Sequence, residues 1–208
     1  MFDFNLMTFI AGLPGLLLAL VLHEYAHARV AVAMGDFTPK LTGRLTLNPL
    51  SHIDPIGFIM LMVAHFGWAK PVMVNPRNFK DMKQGNILVA LAGPAANFLV
   101  AFIALAAMMV MYKMGIRMTL GVKTVFSMIV LYNINFGIFN LIPLPPLDGS
   151  KILLEFLPGD LAYRYMGIER YSFIILIVMM MTPILGSILI PLSSLILTAF
   201  ETILNIFI

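Results

Sequence analysis

Residues 23 to 27 read HEYAH. On a helix, His23 and His27 stand four residues apart, so both rings project from one face and can close on a single ion. Glu24 sits beside them. Zinc hydrolases use this set: two neutral imidazoles hold the metal, and a carboxylate takes a proton from water as it attacks a carbonyl. The chain has four His and four Glu, so an HExxH would arise by chance in about one of seven hundred such sequences. The surroundings count further against coincidence. The stretch LPGLLLALVLHEYAHARVAVAM is otherwise largely apolar, and ionisable groups at membrane depth are too costly to be idle.

A catalytic zinc takes a third protein ligand and keeps a fourth position for water. The chain has no Cys, which leaves His and carboxylates. His52 and His65 lie in the loop after the first apolar stretch, and Asp148 follows NLIPLPPLDG. Pro143, Pro145 and Pro146 lack backbone donors, so the chain must unwind before Asp148 and expose polar backbone, which is tolerated where it is buried in protein or lines a watery cavity. Alone, Asp148 reads most simply as the N-cap of a helix starting near Ser150. Beside HEYAH, the metal-ligand reading prevails.

The elements that carry these groups belong to a membrane protein. Hydrophobic residues make up 61% of the 208, charged residues 11%, and mean hydropathy is +0.97; soluble domains carry about a quarter charged residues. The net charge of +3 is spread between apolar runs and gives no nucleic-acid surface. The acidic opening MFDFN differs from the basic start of a cleaved signal peptide. Four stretches can cross a bilayer as helices: 6–34, 87–112, 124–147 and 171–200. The last is too long for one straight span, and Pro183, Gly186 and Pro191 are expected to kink or break it, leaving the tail as a short extra helix. Residues 56–69 are apolar but short, which suits a re-entrant or interfacial segment. Alternating Leu and Thr in KLTGRLTLNP predict a strand or hairpin at the membrane edge over 41–47, able to accept an unwound substrate segment by edge pairing. The expected architecture is thus a single all-α polytopic membrane domain over 1–208, with four to five spans, a short β-hairpin and a re-entrant segment. Loops 35–85 and 149–170 hold nine Lys or Arg against three on the other side, which places the HEYAH end of the first helix on the cytoplasmic side.

These motifs resemble the site-2 protease family of intramembrane zinc metalloproteases. HEYAH matches the family's HExxH on a membrane helix. NLIPLPPLDG is similar to its second signature, an Asn and Pro followed by Asp-Gly on a later span. GRLTLNPLSHIDPIG, FGWAKPVMVNP and LAGPAANF resemble segments of compact prokaryotic members that lack a PDZ domain. The resemblance implies one zinc per chain held by His23, His27 and Asp148, Glu24 as general base, and Asn140 in substrate or oxyanion contact. It implies a multi-pass protein of a prokaryotic plasma membrane whose substrate is a single-span membrane protein cut in or near its transmembrane helix. A regulatory membrane partner is left open. Some members carry a span before the HExxH helix, where this chain has only about twenty residues.

AGPAAN, within the second span, has two readings. Gly93 and Pro94 make a packing notch with a helix kink, or Gly93 joins Asn97 in contact with substrate. A buried amide in lipid needs a partner, so Asn97 either binds substrate backbone or pairs with a backbone carbonyl. Asn133 and Asn135 read as interhelical glue. Two other functions fit less well. A membrane metal transporter would place ligands along a path through several spans, and a catalytically silent scaffold has no use for an intact HEYAH.

Overall fold

The computed structural model describes residues 6–57, 60 and 67–208. Among these, four helices are long and apolar enough to cross a membrane. The first, α1, spans Leu6–Met34 and carries HEYAH. A four-residue helix α2 (Thr38–Leu41) precedes α3 (Met82–Lys113) and α4 (Leu120–Leu141). Short helices α5 (Asp148–Leu154) and α6 (Gly159–Met166) follow, then α7 (Glu169–Met181) and α8 (Ile184–Phe207).

Helices α1, α3 and α4 pack mutually and form the body of the protein. Their contacts are made by small residues: Ala19, Ala28, Ala31, Ala90 and Ala101 are all buried. Lipid tails are as apolar as any side chain, so membrane helices associate through close backbone approach, which alanine allows and leucine prevents. The larger apolar groups fill the seam between α3, α4 and α8, where Val130, Ile134 and Ile138 meet Phe98, Leu189 and Phe200. The rings of Phe102 and Phe200 lie edge to face there, 5.2 Å apart. Leu99, Ile103, Phe173, Ile190 and Leu195 are exposed, as suits surfaces facing lipid. The arrangement is that of a multi-pass membrane protein.

Three expectations change. No strand occurs among the described residues. Over 41–47 the chain turns back on itself: the Pro39 carbonyl accepts from both Arg44 N–H (2.8 Å) and Leu45 N–H (3.2 Å). Gly43 supplies the positive φ of +69° that the turn requires. Those local bonds consume the donors a β-ladder would use, and the alternation of Leu and Thr does not outweigh them. The last apolar stretch does break, at Thr182–Pro183, but the short piece comes first. Helix α7 has 13 residues and α8 has 24, with Gly186 and Pro191 inside α8. The third span ends at Leu141, earlier than expected, and 142–147 run without regular helix. Most of the expected re-entrant segment 56–69 lies outside the described residues, as does His65.

One acid ties the start of the connection between α1 and α3 to its end. Asp36 is completely buried and accepts from Thr38 N–H and Oγ–H, Asn75 N–H and the Asn78 amide, at 2.6–3.1 Å. Burial pushes its carboxyl up, but the bonds from Thr38, Asn75 and Asn78 outweigh it and hold the pKa below the usual carboxylate value. The knot pins 75–78 against the end of α1. Val74 and Phe79, on either side of that segment, pack against Ala31 and Val89.

Candidate metal centre

His23 and His27 project from one face of α1 toward α3 and α4, as their spacing requires. Both are buried. The backbone carbonyl of Val89 on α3 lies 2.6 Å from His27 Nδ1, and a carbonyl can only accept, so that nitrogen carries the proton. For His23 the partner is the amide of Asn97, also on α3. Asn97 Nδ2 donates to the Ala19 carbonyl (2.8 Å) and to Asn133 Oδ1 (3.1 Å), which fixes the amide's orientation. Its Oδ1 therefore accepts from His23 Nδ1–H at 2.7 Å. Asn133, on α4, in turn donates to the carbonyls of Ile129 (2.9 Å) and Gly15 (3.4 Å). A chain of amides thus crosses three spans and ends at one imidazole.

With Nδ1 protonated on both rings, each Nε2 holds a bare lone pair. The two Nε2 atoms stand 2.9 Å apart, and Asp148 Oδ2 lies 3.1 Å from one and 3.0 Å from the other. That oxygen is buried with no hydrogen-bond partner. Three electron-rich atoms facing one another at this range repel unless a cation joins them. Ligand atoms around a tetrahedral zinc at 2.0–2.1 Å are about 3.3 Å apart, close to what is seen. The donor set of two neutral imidazoles and one carboxylate fits zinc. Among the described residues this is the one group of three or more His, Asp or Glu able to share an ion.

Asp148 reaches the pair because α4 stops at Leu141 and α5 begins at Asp148 itself. The N-cap is Leu147, with no side-chain capping bond. Asp148 is thus the first residue of α5 rather than its cap, and its carboxylate turns inward to the imidazoles. Its other oxygen accepts from Lys151 Nζ at 2.9 Å.

Gly93 faces the two rings. A Cβ there would lie 2.5 Å from His27 Nε2 and 2.6 Å from His23 Nε2. Its missing side chain therefore leaves clear the space beside both lone pairs. Asn97 is wholly buried, with both amide groups engaged in the pairing behind His23. Glu24 is nearly buried, and its Oε2 accepts from Val72 N–H at 2.9 Å. Asn140 Nδ2 is bonded back to the Phe136 carbonyl at 3.0 Å. His52, the other imidazole considered as a ligand, pairs Nε2 with the Thr46 carbonyl at 2.8 Å and stands apart from the cluster.

The reading of single residues did not find the Val72 amide on Glu24 or the Val89 carbonyl on His27, since backbone partners leave no mark in residue identity. Lys151 had a signal, its i+3 spacing from Asp148.

Over 176 residues the chain is 42% identical to YwhC of Bacillus subtilis, whose name describes a zinc metalloprotease; the match covers 83% of this chain and 80% of that one. The chain belongs to peptidase family M50. This is the site-2 protease family, and its profile matches residues 106–183, which include Asn140 and Asp148. Rip2 of Mycolicibacterium smegmatis, with a name of the same kind, is 30% identical over 190 residues, covering 86% of this chain and 69% of its own. Rip2 of Mycobacterium tuberculosis is 29% identical over 182 residues, with the same two shares. No solved structure matches the chain significantly. This M50 protein is a zinc metalloprotease built on apolar membrane helices.

Proposed function

We propose that this M50 peptidase hydrolyses a peptide bond in or near the transmembrane helix of a single-span membrane protein. One observation carries the reading: the three convergent lone-pair donors lie within a bundle of membrane-spanning helices. His23 is eleven residues from the end of α1 at Met34, about 16 Å along the helix, so a bond cut there is a bond drawn into the membrane.

His23, His27 and Asp148 are assigned as the zinc ligands. Held by these three residues, zinc would supply Lewis acidity for the hydrolysis. Glu24, next to the first ligand, takes the proton of the attacking water and delivers it to the leaving amine nitrogen. The Val72 amide on Oε2 orients that carboxylate and leaves Oε1 for the proton. Asn140 retains a second amide N–H beyond the one on Phe136, and is assigned to the oxyanion. Gly93 keeps the imidazole face open. A substrate helix must unwind over a few residues before its carbonyl can be reached, since its backbone groups are otherwise paired.

The basic loops support an active site opening to the cytoplasmic side. The substrate's cytoplasmic part, freed by the cut, would then be a regulator. The test is cleavage of a single-span substrate in proteoliposomes by wild type and Glu24→Gln. Loss of cleavage with zinc retained is expected. Cleavage by Glu24→Gln at the wild-type rate would overturn the assignment of the base, and cleavage of soluble peptides alone would overturn the membrane substrate.

A further inference from the structure

Asp148 offers its two oxygens to different partners. Oδ2 faces the imidazole pair, and Oδ1 accepts from Lys151 Nζ at 2.9 Å. The carboxylate is 4% exposed and the Lys151 side chain 58%, so the ammonium stands at the exposed end of the contact. A carboxylate can engage a metal through one oxygen or both. Engaging through both would use the position that a hydrolytic zinc keeps for water.

We propose that Lys151 is a positioning residue: by holding Oδ1, it makes Asp148 a ligand through Oδ2 alone and so keeps a coordination position free. The inference rests on reading Asp148 as a zinc ligand. Lys151 stands one turn along α5 from Asp148, on the same face. Isolated pairs of this spacing on a helix surface contribute little. Here the carboxylate is buried, and its rotation about Cβ–Cγ is what the contact restrains. The helix has other anchors. Asn86 Nδ2 donates to Glu155 Oε1 at 2.6 Å, and Lys83 Nζ lies 5.1 Å from the centre of the Phe156 ring. These tie the far end of α5 to the start of α3. Lys151 therefore governs which oxygen Asp148 presents, while the placement of α5 is secured elsewhere. Outer contacts of this kind orient metal ligands and change metal affinity about 10–100-fold when lost.

The experiment uses the full chain in detergent, with Co2+ in place of zinc, and compares wild type, Lys151→Met, Lys151→Arg and Asp148→Ala. Visible absorption per bound Co2+ reports coordination number, because four-coordinate Co2+ absorbs far more strongly than five- or six-coordinate. Competition with a chelating dye reports zinc affinity. Lys151→Met is expected to bind one Co2+ with weakened visible bands and at least about tenfold lower zinc affinity, and Lys151→Arg to restore both. Should Lys151→Met fail to fold, Lys151→Leu, which likewise has no donor, is read in the same way. A wild-type spectrum and affinity in the neutral variant would overturn the role of Lys151 while leaving Asp148 as a ligand. Undiminished metal binding by Asp148→Ala would overturn the ligand reading and this inference with it.

Discussion

His23 Nδ1 donates to Asn97 Oδ1 across 2.7 Å, linking α1 to α3 and fixing the proton away from the metal-facing nitrogen. Asn97 is itself held by Ala19 and by Asn133 of α4, so the ring's orientation depends on all three central spans. Replacing Asn97 with Leu should keep the fold but free the tautomer, lowering zinc affinity about 10–100-fold. Competition against a chelating dye measures it. Affinity equal to wild type would show that the amide chain is packing alone.

His23→Ala and Asp148→Ala should each abolish stoichiometric zinc, because two ligands hold a catalytic zinc far less well than three. Elemental analysis of purified protein decides this directly. Extraction of zinc by chelator should stop cleavage, and added zinc should restore it.

Glu24→Gln keeps the size of the side chain but cannot take a proton. Zinc per chain should stay at one, while cleavage falls by about 10²–10⁴-fold, the usual worth of a positioned base. The two readouts together separate loss of chemistry from loss of metal.

Gly93→Ala puts a methyl group 2.5 Å from His27 Nε2, so the imidazoles must move. A cost of about 1–3 kcal/mol is typical of overpacking, and it falls here on the metal-facing atoms. Zinc content and activity should drop together, with helix content by circular dichroism unchanged. Full zinc occupancy in this variant would show that the rings shift without consequence.

Asp36 makes stability depend on pH at the acid end. Its folded pKa lies below the ordinary value of 3.8, so its stabilising contribution is full above that unfolded value and is lost as pH falls through the folded one. Thermal melts in detergent should show wild type more stable than Asp36→Ala at pH 7, with the gap narrowing below pH 3.8. At pH 7 the variant removes the bonds donated by Thr38, Asn75 and Asn78, each worth about 0.5–1.5 kcal/mol. A gap independent of pH would show that the carboxylate's charge plays no part.

The legibility of this protein divides by the range of the interactions involved. Helical periodicity and span length are local, so five adjacent residues sufficed to pair His23 with His27, and runs of apolar side chains sufficed to mark the spans. Prolines announced the unwinding before Asp148 for the same reason: a missing N–H acts on its own turn. The short strand over 41–47 failed on a local competition that residue alternation cannot register, the Pro39 carbonyl capturing two donors around Gly43. The chain's own residue types thus determined a membrane-embedded HExxH, a break ahead of Asp-Gly and a shortage of other ligands. Tertiary structure alone decided that Asp148 divides its two oxygens between the imidazoles and Lys151, that Asn97 stands behind His23, and that Gly93 must lack a side chain. Each rests on a contact between helices far apart in the chain, and such contacts exist only once small residues have let the three spans approach.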